Sequence, residues 1–228
     1  MLIRTADIDR SGPAVQLKGE KNMTGSTFRR LLPALAFTLA AAAPAASHAF
    51  DVNLMLKAGF DFGGDTLTTV NLMGSGSSTK TIRANDGLYF GGGASIVPDM
   101  KELEIEVSLS YEFSGITAQN GNIDWSVLPL DALVFYRLPK FRFGGGLTYH
   151  LSPQLKGSGV ASDLNAKYKD AAGLVLQADY RFTEKFAAGL RYTNVTYKAD
   201  SVSPSVFAST PPMNAKTNGV GIVFTGSF

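Results

Sequence analysis

Apolar and polar residues alternate one for one along most of the chain beyond residue 50, which is the period of a strand with two unlike faces. From 52 to 62, Val52, Leu54, Leu56, Ala58, Phe60 and Phe62 share one face, while Asn53, Lys57, Gly59 and Asp61 share the other. The stretch 103–113 is sharper: Leu103, Ile105, Val107, Leu109, Tyr111 and Phe113 oppose Glu104, Glu106, Ser108, Ser110 and Glu112. The same rule predicts strands over 88–96, 128–137, 141–151, 172–182, 186–193 and 219–228, with Pro129 weakening the second of these. That makes eight strands, and no apolar run after Phe50 reaches the length of a membrane-spanning helix.

The connections come in two sizes. Residues 98–101, 138–140 and 183–185 are tight turns, whereas 63–86, 114–122, 152–169 and 198–213 are long and rich in Gly, Ser, Asn and Pro. Short turns at one end and long loops at the other describe a meander of hairpins. Within the long connections, Gly74 to Lys80 and Ser201 to Pro212 read as flexible, soluble and mobile. No linker, repeat or heptad divides 50–228, which reads as one domain.

The segment before it has a different character. Met23, the basic pair Arg29 and Arg30, the apolar run Leu31 to Ala43 and the small-x-small triplet Ser47-His48-Ala49 make 23–49 a secretory signal peptide with the mature chain starting at Phe50. Residues 1–22 are polar and fit no targeting pattern, so they read as an extension upstream of the true start at Met23.

Composition explains what the alternation is for. Only 18% of the 228 residues are charged while 45% are hydrophobic, against about 25% charged in soluble domains, so much of this surface does not face water. Without cysteine there is no disulfide scaffold, thiol catalysis or Cys-based zinc site. Residues 50–228 carry 15 basic and 16 acidic side chains, and His150 is their only histidine. Near-neutrality excludes a nucleic-acid binder, and one histidine excludes a His-cluster metal site. No cofactor is expected either: Gly91-Gly92-Gly93 and Gly144-Gly145-Gly146 lack the Lys-Ser/Thr pair and helix of a phosphate loop, and more plausibly leave room for bulky lumenal neighbours such as Tyr89 or Arg142. Glu104, Glu106 and Glu112 lie on one rigid strand, unlike the flexible loops that bind calcium, and read as salt-bridge partners.

Eight antiparallel strands fit two barrels, a soluble cup with an apolar lumen as in lipocalins, or a membrane barrel with an apolar exterior. The polar face decides between them. It is crowded with Gly, Ser and Thr, the small residues a narrow interior has room for. Its charges are Lys57, Arg137, Arg142, Arg181 and Arg191 against Asp61, Glu104, Glu106, Glu112, Asp131 and Asp179, nearly balanced and expected to form a lumenal ion-pair network. On the apolar face, Phe60, Phe62, Tyr111, Phe113, Tyr136, Phe141, Tyr180, Phe182, Phe186 and Phe228 gather toward strand ends, as in the aromatic girdles of an outer-membrane barrel. Nothing in lipid pairs a free strand edge, so the strands must close. The expected fold is all-β: an eight-stranded antiparallel up-and-down transmembrane β-barrel.

The C-terminal run Gly219-Val220-Gly221-Ile222-Val223-Phe224-Thr225-Gly226-Ser227-Phe228 resembles the last strand of Gram-negative outer-membrane proteins. The whole of 50–228 resembles small eight-stranded barrels of the OmpX and OmpA-transmembrane type. The resemblance implies that Ile222, Phe224 and Phe228 form the signal read by the barrel assembly machinery. It also implies that outer-membrane lipid and lipopolysaccharide are partners, with the loops free for an extracellular ligand. The expected function is a non-enzymatic surface protein serving surface interaction or envelope integrity. An alternative is a lipid A-modifying enzyme: His150-Leu151-Ser152 resembles the His-x-Ser arrangement of lipid A 3-O-deacylases, with both side chains expected on one strand face and Asp163 or Asp170 as the acid. A second alternative is the soluble periplasmic lipocalin-like ligand binder.

Overall fold

Period-two sequence leaves each strand with one face to bury and two edges to pair, and the chain satisfies both demands by closing on itself. The computed structural model describes residues 50–72, 78–206 and 208–228. The upstream extension 1–22, the signal peptide 23–49 and part of the expected flexible loop at Gly74 lie outside the described residues. The strands are β1 (Phe50–Gly63), β2 (Thr66–Leu72), β3 (Ser78–Arg83), β4 (Gly87–Pro98), β5 (Leu103–Ala118), β6 (Gly121–Arg137), β7 (Phe141–Gly157), β8 (Asn165–Tyr168), β9 (Ala171–Arg181), β10 (Phe186–Ser203), β11 (Asn214–Lys216) and β12 (Gly219–Ser227).

Eight of them form the ring β1-β4-β5-β6-β7-β9-β10-β12, antiparallel throughout. Closure is made by β1, which pairs Val52 with Ile96 of β4 on one edge and Phe60 with Ile222 of β12 on the other. The backbone of Phe228 completes the seam: its N–H donates to the Leu54 carbonyl at 2.8 Å. All eight predicted strands are present. One pairing lapses, between Leu109↔Leu130 and Glu112↔Val127 of β5 and β6, where Pro129 has no N–H to offer.

The partition of residues is the reverse of a soluble protein's. Leu54, Leu147 and Leu190 are 71%, 63% and 67% exposed, whereas Lys57, Glu106, Asp131 and Arg142 are buried inside. The lipocalin-like alternative, which needs an apolar lumen and a polar exterior, is therefore overturned. Aromatics cluster in two tiers on the outer face. Toward the loop end Phe60 contacts Phe62, and Phe90, Tyr111 and Phe113 contact one another; Phe141, Phe143, Tyr180 and Phe182 form a contact chain toward the turn end. A surface this apolar, carried on a closed ring with every edge paired, is that of a membrane-spanning barrel of the outer-membrane type.

The long connections differ from expectation. Residues 114–122 are not a loop: β5 runs on to Ala118, β6 starts at Gly121, and Gln119 and Asn120 alone separate them. Residues 63–86 hold the β2–β3 hairpin, 152–169 hold the end of β7, a 3-10 turn at Gly159–Ala161 and β8, and β10 runs on to Ser203 within 198–213. Beyond the lipid-facing band the inward positions switch from polar to apolar, so the extended strands acquire a core of their own. Leu67, Ile82, Ile116, Ile123, Trp125, Val127, Leu155, Leu164, Tyr168, Val195 and Tyr197 pack there. That packing holds the described parts of these connections against the barrel.

Candidate functional site

The lumen is layered from the turn end to the loop end. At the turn end a vestibule of about 1040 Å³ is lined by Asn53, Ser95, Glu104, Arg137, Arg142 and Arg181, among others. Arg181 stands here, half-buried at the mouth, rather than inside the ion-pair network where it was expected. Arg137 is also only half-buried and reaches Glu104 at 3.3 Å.

Above the vestibule Arg142 ties three strands together. Its Nε donates to Asp179 at 2.6 Å and its Nη1 to Glu104 at 2.8 Å, with Glu106 at 3.3 Å. Its guanidinium lies 4.2 Å from the ring centre of Phe135, a cation–π contact. Phe135 occupies space that a side chain at Gly144 would fill, since a Cβ there would stand 2.4 Å from the ring. The Gly144 triplet thus makes room for Phe135, and Tyr89 sits over Gly59, whereas the sequence reading paired the two triplets with Tyr89 and Arg142. Asp179 is further held by the Gln177 amide, and Glu104 accepts from the Ser95 hydroxyl at 2.6 Å.

In the next layer Lys57 is paired with Glu106 and also donates to Ser108 at 3.3 Å. Arg191 grips Asp131 with both terminal nitrogens, at 2.7 and 3.0 Å, a fork that fixes geometry as well as charge. The balance of signs expected from sequence does not hold inside the wall. The buried charges are the cations Lys57, Arg142 and Arg191 and six carboxylates, Asp61, Glu104, Glu106, Glu112, Asp131 and Asp179. Asp61 and Glu112, expected as salt-bridge partners, have no cation within ion-pair distance among the described residues, because all three buried cations are engaged elsewhere.

His150 and Ser152 do not form a catalytic pair. His150 is buried and its Nδ1 is hydrogen-bonded to the Tyr197 hydroxyl. The pairing of β6 with β7 slips by one residue between Ser126 and Leu128, and Ser152 adopts a φ of 50°, so the strand's in-out alternation reverses there. Ser152 is exposed, and its N–H donates to Asp170 at 2.8 Å. The shared face expected from their two-residue spacing is removed by this bulge. Sequence reading also missed Tyr197, which joins the polar lumen to the apolar core above it. Its position continues the alternation of β10 past residue 193, which was the only available signal.

The loop end is sealed. The apolar core fills the ring at that level, and the β2–β3 hairpin folds onto it through Leu67 and Ile82. Hydrogen bonds fasten the hairpin to the β10–β12 connection: the Thr68 hydroxyl donates to the Ser209 carbonyl at 2.8 Å, and the Lys216 N–H donates to Asp65 at 2.9 Å. Outside the lipid-facing band, burial pushes the Tyr168 hydroxyl up to about 12, so it stays protonated and donates to the Pro212 carbonyl at 3.1 Å.

No family model matches this chain, and no curated protein matches it. Among solved structures it is similar to Ail, the attachment invasion locus protein of Yersinia pestis, in complex with the heparin analogue sucrose octasulfate. The identity is 11%, over 78% of this chain and 98% of that one, with a TM-score of 0.45. It is also similar to Neisserial surface protein A, at 11% identity over 79% of this chain and 100% of that one, with a TM-score of 0.43. The assignment rests on the chain's own geometry. Eight strands closed edge to edge, an apolar band outside and a polar lumen crossed by ion pairs make it a transmembrane β-barrel of the outer-membrane type.

Proposed function

We propose that this chain is a non-enzymatic outer-membrane surface protein whose barrel anchors a braced cap used for surface interaction or envelope integrity. The observation that carries this reading is that the lumen is blocked above the turn-end vestibule. Above the turn-end vestibule, ion pairs cross the lumen at the lipid-facing levels and an apolar core closes the loop end, so the interior serves rigidity rather than passage. The separation of His150 from Ser152 supports a role other than deacylase chemistry.

Outer-membrane lipid and lipopolysaccharide are the partners that suit the exposed band. The barrel assembly machinery is the partner for the seam strand, where Ile222, Phe224 and Phe228 all face outward. The cap, with its β2–β3 hairpin and the β10–β12 connection, is the surface offered to an extracellular ligand. Planar-bilayer recording of the purified protein tests the reading. It should show no stable conductance, and a large, reproducible channel would overturn it.

A further inference from the structure

Between the Arg191–Asp131 pair and the apolar core lies a small chamber lined by Asp61, Asn85, Tyr89, Ser110, Glu112 and His150, with Arg191 and Asp131 at its side. We propose that it is a binding site for one small, oxygen-seeking divalent cation of the calcium class, held between Asp61 and Glu112. This goes beyond the surface role and does not depend on it.

Three observations converge. First, the two carboxylates are buried, and the described residues supply neither with a hydrogen bond or an ion pair. Two uncompensated acids in a closed wall are costly, and their combined charge when ionised is that of one divalent ion. Second, four further buried groups aim unmet polar atoms into the same space: the Tyr89 hydroxyl, Ser110 Oγ, Asn85 Nδ2 and His150 Nε2. The hydroxyl oxygens are neutral ligands of the kind such an ion takes beside carboxylates. The chamber leaves about 10 Å³ for the centre of a guest, roughly the room for one ordered particle.

Third, the neighbouring strands withdraw to make the space. Side chains would collide at Gly221 with Asp61 (1.8 Å), at Gly59 with the Tyr89 hydroxyl (2.4 Å), at Gly91 with Ser110 Oγ (2.4 Å) and at Gly219 with Asn85 Nδ2 (2.4 Å). Among the described residues no three of His, Cys, Asp and Glu converge to hold a metal ion by themselves, so the two carboxylates need the neutral hydroxyl oxygens to complete a donor set. Two carboxylates with neutral oxygens are instead a hard-cation donor set. The acidic triplet of β5 is not the site. Glu112 alone joins it, and the remaining oxygens come from β1 and β4 and from Ser110.

The test uses the full chain extracted from outer membranes in detergent, stripped with EDTA and dialysed against calcium chloride. Bound metal is counted by mass spectrometry, and thermal unfolding is followed by heat-modifiable gel migration. One calcium per chain and a raised unfolding midpoint are expected. The Asp61→Asn/Glu112→Gln double variant should bind none, while Glu104→Gln, altered nearer the turn end, should bind as the unaltered chain does. Absence of calcium from the unaltered chain at millimolar concentration, or equal uptake by the double variant, overturns the proposal. So does stability that ignores EDTA but falls as pH rises, since the acids would then be carrying protons. If the double variant fails to fold, Ser110→Ala decides: weaker binding supports the site and unchanged affinity overturns it.

Discussion

Replacing Arg191 with methionine keeps most of the side chain's volume and removes the forked ion pair with Asp131. Its partner Asp131 would lose contacts at 2.7 and 3.0 Å. Both residues are buried, so the relevant scale is the about 3–5 kcal/mol lost when one member of a buried pair is removed, not the about 0–1 kcal/mol of a surface bridge. Lys57, 3.9 Å from Asp131, remains as a weaker partner, which places the expected loss near the lower end, about 3 kcal/mol. The double variant Arg191→Met/Asp131→Leu leaves no orphaned charge at this position and should recover most of that loss.

Urea unfolding of the detergent-solubilised barrel measures both. Trp125, the only tryptophan, is fully buried in the loop-end core and reports opening by fluorescence. A loss under about 1 kcal/mol for Arg191→Met would place the pair on the surface scale and show that water screens the lumen. Failure of the double variant to recover would show that Arg191 is needed for something other than Asp131. Either result refutes the account of the lumen as a set of paired, desolvated charges.

Three further outcomes follow from the same geometry. Trp125→Ala should cost about 3–5 kcal/mol, because the ring packs against Tyr168 and Tyr197 in a core that cannot collapse freely; loss of heat-modifiable migration at lower urea measures it. Gly144→Ala forces a Cβ to 2.4 Å from the Phe135 ring and should destabilise by about 1–3 kcal/mol in the same assay, with an unchanged midpoint counting against the packing described. Ser152→Ala should leave the mass spectrum of lipid A from expressing cells unchanged, since Ser152 faces away from His150; a Ser152-dependent loss of an acyl chain would restore the enzymatic alternative.

Legibility differed from element to element. Leu103 to Phe113 announced itself because alternation is a local property that requires no partner, and its glutamates turn inward in the structure as their positions imply. The continuation of β5 to Ala118 was hidden because its Gly, Thr and Ala residues carry no contrast between faces. The bulge at Ser152 was hidden too: sequence spacing counts residues, whereas a face depends on backbone torsion, and one residue with positive φ reverses it. Asp61 and Glu112 looked like ion-pair partners because sequence reveals which face a charge occupies, not which opposite charge stands within reach.

By itself, the sequence determined eight strands, the two-sidedness of each, the outward apolar band and the end that carries the short turns. These follow from the period of two and from the positions of turn-forming residues, which act within a few bonds. Tertiary structure alone decided which charges meet. Arg142 draws Glu104, Glu106 and Asp179 from two other strands, and Arg191 meets an aspartate 60 positions away, because register and closure bring distant strands face to face across a narrow lumen. Tertiary structure likewise decided where the described parts of the long connections pack, since only the stacked inner faces of the extended strands provide a core for them.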